Sequence, residues 1–172
     1  MDTRSIMLTL RLIHIVGGVF WVGAMILVAA FLLPAVRAAG AQGGRVMQEL
    51  TQQRRLPVYL SMAAGLTMLS GFTMYGLIAA GNGAWAGSRQ GIAYGVGALA
   101  AIVAAILGGV VVGRTGRQLA TLGERIQAAG GPPSAAQAAE MDALQARMGR
   151  TSRAVAALLL VTVAAMATAR YL

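Results

Sequence analysis

The chain has 172 residues, of which 58% are hydrophobic and only 11% charged, against about 25% charged residues in an ordinary soluble domain. Its 14 basic residues are all arginine and, against five acids, leave a formal net charge of +9; because they lie between long apolar runs, they read as membrane-topology signals and not as a nucleic-acid footprint. No cysteine is present, which excludes disulfides, thiolate metal sites, iron–sulfur clusters and thiol nucleophiles.

In chain order, the first apolar run of bilayer-crossing length, about 20 residues, extends from about Leu12 to Leu33. Its start carries the only constellation able to bear chemistry. At 100° per residue Arg11, His14, Gly17, Gly18, Trp21 and Met25 share one helical face. An ionisable side chain within a membrane span is expensive and by default marks a functional site; His14 lies about one turn inside the outer interface. Gly17 and Gly18, one turn further in, lower the helix surface and make room either for a flat cofactor or for a neighbouring helix, while Trp21 reads mostly as a packing residue. Ala39-Gly40-Ala41 resembles a signal-peptidase site. The apolar run is longer than the roughly 7 to 15 residues of a signal core, however, and Arg37 separates it from the cut, so the segment is expected to be retained.

Ala38 to Gly44 reads as a small-residue turn, and Arg45 to Arg55 as a helix leading into Pro57. Arg54 and Arg55 fall at headgroup level, where each cation is worth about 1 kcal/mol of attraction to anionic lipid. The second span, Leu56 to Ala80, offers Ser61 with Gly65 and Thr67 with Gly71 for close backbone contact, the main source of helix association where lipid supplies no hydrophobic drive. Trp85, in the short loop that follows, reads as an interfacial aromatic anchor. The third span, about Gly91 to Gly113, carries a four-residue ladder of small side chains: Gly97, Ala101, Ala105, Gly109 and Gly113.

Beyond it, residues 114–153 form a polar stretch with a buried seam. Leu119, Leu122 and Ile126, and after the turn Met141, Leu144 and Met148, recur at three- and four-residue steps. Gly130-Gly131-Pro132-Pro133 stops one helix, and Ser134 with Gln137 is a capping box that starts the next. Arg114 and Arg117 open this hairpin as candidate lipid or partner contacts. The fourth span is Ala154 to Leu172.

Ten arginines lie in the two long connections, 34–55 and 114–153, and four on the opposite side. The positive-inside rule therefore makes both connections cytoplasmic and both termini external. The expected fold is all-α: a single-domain integral membrane four-helix bundle, antiparallel up-down, with helices extended into the cytoplasm as helical hairpins. The acids Asp2, Glu49, Glu124, Glu140 and Asp142 all fall outside the spans, so the acidic groups that ion-coupled transport uses at membrane depth are missing. Thr67, Ser70, Thr73, Thr162 and Thr168 are hydroxyls that a helix can satisfy on its own backbone.

The run His14-Ile15-Val16-Gly17-Gly18-Val19-Phe20-Trp21-Val22-Gly23 resembles the first transmembrane helix of small bacterial membrane proteins of the copper-resistance D type and related families. Leu69 to Tyr75 in the second span is similar in flavour. The resemblance implies a haem b or copper held near the outer face through His14, and it carries over to Gly17, Gly18, Trp21 and Gly23; a single axial bond from His14 to a chlorin-type pigment is a further reading of that histidine. The chain departs from that pattern in having one histidine where paired ligation needs two, and Met62, Met68 and Met74 are six residues apart, which scatters them around their helix. Without a cofactor, His14 is expected to donate to a carbonyl or hydroxyl on a neighbouring helix.

Two functions follow as expectations. One is a non-catalytic accessory subunit of the bacterial inner membrane, in contact with anionic lipid and with a larger complex, such as a respiratory or photosynthetic electron-transfer assembly. The other is a copper-resistance D type protein binding one haem or copper through His14. Neither calls for an enzyme.

Overall fold

The computed structural model describes residues 2–172. The fold is all-helical, 91% helix, with no strand among the described residues. In chain order it comprises α1 (Thr3–Ala38), α2 (Gly40–Gln48, continued by a wide turn over Glu49–Gln53), α3 (Leu56–Gly81), α4 (Arg89–Ala128) and α5 (Ala135–Tyr171). All but α2 are long and apolar enough to cross a membrane.

Asp2 caps α1, its carboxylate accepting from the Ser5 amide at 3.3 Å, so the helix starts well before the first apolar run. Hydrogen bonds from Ser5 hold the Asp2 carboxyl below its ordinary value. A depressed folded-state pKa contributes stability above the unfolded value and loses it as the pH falls through the folded one. Lower amide protection factors at Ser5 and Ile6 in acid, with those of the spans unaffected, are the expected signature.

The C-terminal end of α1 also outruns the expected boundary. Pro34 has no N–H, and its ring would meet the carbonyl four residues back. The helix widens over Val28–Leu32, with the Leu33 amide reaching Val28 O, and so passes through the proline instead of ending before it. The small-residue stretch is not one turn either. The chain reverses at Gly40 alone, with φ +57, and Gln42, Gly43 and Gly44 already belong to α2. Gly43 is where α2 folds back onto α1: a Cβ there would run into the backbone of Val36. At the far end of α2, Arg55 takes a left-handed conformation, φ 51, and leads into Pro57 in the first turn of α3, where its missing N–H leaves no helical bond unmade.

Between α3 and α4 a short turn, Trp85–Gly87, precedes Ser88, whose hydroxyl caps α4 by accepting from Gly91 N at 3.1 Å. At 40 residues α4 is about 60 Å long, twice the hydrocarbon thickness of a bilayer. It widens once, over Leu107–Val112, around Gly108-Gly109. The capping box forms as expected: Ser134 and Gln137 each bind the other's backbone N–H, at 2.9 and 3.3 Å. Leu122 is buried in the hairpin seam and Gly116 lies against Met148.

α1 pairs with α3 and α4 with α5 over the longest interfaces. Both pairs are antiparallel, since Gly17 and His14 meet Thr67 and Gly71 in reverse order, as Gly97 and Gly116 meet Thr162 and Met148. The pairs join through one core of Trp21, Met25, Ala63, Ala101, Ala104, Val155 and Leu159. The small-residue ladder of α4 enters it only in part. Gly97 and Ala101 are buried against α5, where the Thr162 hydroxyl donates to Gly97 O at 3.2 Å, but Gly109 is exposed. Four residues turn a helix about 400°, so the ladder drifts about 40° per step and Ala104 takes over the contact.

In the most apolar window of each long helix only 17% to 22% of residues are buried. Leu12, Val16, Val19, Leu69, Leu99 and Leu160 are among the large apolar side chains left on the outside.

Candidate functional site

The α1 motif is half of a reciprocal clasp. His14 and Gly17 on α1 face Gly71 and Thr67 on α3, and each bulky residue sits where the opposing glycine lacks a side chain. A Cβ at Gly71 would lie 2.7 Å from His14 Cε1 and 3.0 Å from its Nδ1. A Cβ at Gly17 would lie 2.7 Å from Thr67 Oγ1, and one at Gly18 3.6 Å from Thr67 Cγ2. The room these glycines open is thus taken by the neighbouring helix.

His14 Nδ1 stands 2.7 Å from the carbonyl oxygen of Thr67. A carbonyl can only accept, so Nδ1 carries the proton, and in the neutral ring the lone pair stays on Nε2. Nitrogen NMR on the labelled chain is expected to show the Nδ1–H tautomer; an Nε2–H signature would mean that the bond to Thr67 is not made. Thr67 O also accepts from Ser70 Oγ at 3.1 Å. Interhelical bonds of this kind contribute about 0.6 to 1.7 kcal/mol in a membrane.

Of the five hydroxyls expected to satisfy themselves on their own helix, four do: Ser70, Thr73, Thr162 and Thr168 donate to carbonyls one turn back. Thr67 departs from that rule. Its hydroxyl is buried without a hydrogen-bond partner because it points across the interface at Gly17.

The remaining members of the α1 face separate. Trp21 and Met25, 5% and 6% exposed, are core residues under α3, α4 and α5. Arg11 is exposed, its flexible stem free to carry the charge outward. Thr67 takes the space over Gly17 and the core takes Trp21, which leaves no continuous face for a flat cofactor, while Gly18 stays partly exposed; Nε2 of His14 is what the clasp leaves for a ligand. No cluster of three metal-binding carboxylate or imidazole groups exists among the described residues.

One turn beyond Gly71, an aromatic cluster closes the α3–α4 end. Trp85 packs edge-on against Tyr75 with centroids 5.1 Å apart, lies 6.0 Å from Tyr94, and donates its indole N–H to Gln90 Oε1 at 2.9 Å. At the opposite end the arginines are on the surface. Arg54 pairs with Glu49 at 3.0 Å, Arg55 starts α3, and Arg114 and Arg117 are exposed on α4. Arg37 reaches Asp142 at 3.5 Å, tying α1 to the hairpin. That pair and the partners of His14 were not legible in the sequence. Thr67-x-x-x-Gly71 is a visible small-residue pair, but nothing in it tells which helix it meets. No family model, curated protein or solved structure matches the chain.

Proposed function

We propose that this chain is a non-catalytic subunit of a larger complex in the bacterial inner membrane, with both termini outside and the α4–α5 hairpin in the cytoplasm. The observation that supports it best is the clasp: the residues of the one motif suggestive of a cofactor are engaged in locking α1 to α3. An apolar surface left uncovered around all four long helices suits lipid and membrane partners, because exposing it to water costs about 25 cal/mol for every Å². The arginine bias toward the hairpin side supports the orientation.

Purification in mild detergent tests the reading. The expected result is co-elution at a fixed ratio with larger membrane proteins; a chain that runs alone in every mild detergent overturns it. An absorption scan from about 350 to 650 nm, before and after dithionite, separates this from a haem protein, for which axial ligation by His14 sets the Soret band. No band is expected. A band abolished by His14→Ala would transfer the chain to the cofactor-binding reading. Impermeant labels are expected to reach both termini and to miss a tag inserted at Gly130-Gly131.

A further inference from the structure

The edge of the hairpin, beside its seam, is built to hold acidic groups. Leu119, Leu122 and Ile126 turn toward α5, and the same helical geometry puts Arg114, Arg117, Gln118, Thr121 and Arg125 on another side of α4. Arg117, Gln118, Thr121, Leu122 and Arg125 line a cavity of about 310 Å³ together with Glu140 from α5. The ion pairs among the described residues are Arg37–Asp142 and Arg54–Glu49, so neither guanidinium of this cavity is ion-paired, with Glu140 or with any other carboxylate. A hydroxyl and an amide stand between them as hydrogen-bond donors. Glu140 lowers the formal charge of the lining from +2 to +1, and Arg114, one turn toward the membrane on the same face, adds to it.

Building on the proposed subunit role, we infer that Arg117 and Arg125, with Gln118 and Thr121 between them, dock an acidic segment of a protein partner along the cytoplasmic part of α4. Distance argues for a polypeptide over a lipid. The apolar run ends at Gly113, and Arg125 lies 11 residues beyond Arg114, about 16 Å along the axis. At physiological ionic strength a headgroup layer is screened beyond about 8 Å. Lipid phosphates serve Arg114; they do not serve Arg125. The eight-residue separation of Arg117 and Arg125 spans about 12 Å, which matches carboxylates about four residues apart on an extended segment or eight apart on a helix.

The full chain in neutral-lipid nanodiscs, titrated with a short fluorescent oligoglutamate peptide, tests this. Each exposed ion pair is worth about two- to fivefold in affinity. Arg117→Gln with Arg125→Gln is therefore expected to weaken binding about tenfold, and Glu140→Gln to strengthen it about threefold. The charge-matched control Arg54→Gln with Arg55→Gln is expected to change it less than about twofold. No binding to the wild-type chain, or an equal loss in the control, overturns the inference. So does an Arg125-dependent preference for phosphatidylglycerol nanodiscs that displaces the peptide, because the occupant is then lipid. In cells, a photo-crosslinker at Thr121 is expected to label an acidic segment of the co-purifying subunit. Labelling elsewhere in an intact complex defeats this inference alone, whereas the absence of any complex defeats the subunit role and leaves the peptide titration to decide the site.

Discussion

Alanine at Gly71 is expected to destabilise the bundle by about 2 to 3 kcal/mol, the upper part of the range for overpacking a well-filled interface. The added methyl would stand 2.7 Å from His14 Cε1. The imidazole could swing aside only by giving up its 2.7 Å bond to Thr67 O, so both the packing and the hydrogen bond are at stake. The sharper test is a double-mutant cycle. His14→Ala alone removes the bond and the ring, a loss of about 1 to 2 kcal/mol. In the His14→Ala background the Gly71 methyl has room, and the double variant is expected to be more stable than the two single losses would sum to, by at least about 1 kcal/mol of coupling. Unfolding of the detergent-solubilised chain by added sodium dodecyl sulfate, followed by circular dichroism, measures it. Additive losses would mean that His14 and Gly71 do not touch.

Gly91→Ala is expected to cost more, about 3 kcal/mol or above, because nothing nearby is free to yield. A Cβ there meets the carbonyl of Trp85 and lies 2.9 Å from both Cα and O of Ala86, all of them backbone atoms of the turn that Ser88 locks by its cap. Relief requires moving the turn itself. That would pull the Trp85 indole from Gln90 and from its contacts with Tyr75 and Tyr94. Trp85 fluorescence, read in a chain carrying Trp21→Phe, is expected to shift together with the loss of stability. Gly95→Ala, where a Cβ would meet nothing within 4 Å, serves as the control and is expected to be neutral or mildly stabilising, since alanine is the better helix former.

Much of the architecture was legible in the residues. Long apolar runs, the Ser134–Gln137 capping box, the Gly130 to Pro133 break and the Leu122 seam act locally, so the helices and the hairpin could be placed from spacing alone. The boundaries were less legible. Leu33 marked the end of the uncharged run and not of the helix, since whether a proline ends a helix depends on whether the backbone can widen ahead of it, and Ala38 to Gly44 contained one reversal where composition suggested a longer turn. The site was the least legible. His14, Gly17 and Gly18 marked a place where something must approach closely, and both a cofactor and a helix satisfy that demand.

Hydrophobicity and charge order are properties of the chain read in one dimension, and they suffice to specify four long helices and the bias of arginine to one side. Which small residue meets which large one depends on the relative rotation and register of two helices, a quantity that no single helix encodes. That Thr67 fills Gly17, that Gly71 admits His14, and that the α4 ladder leaves the buried core after Ala101 were settled only once α1 had packed on α3 and α4 on α5.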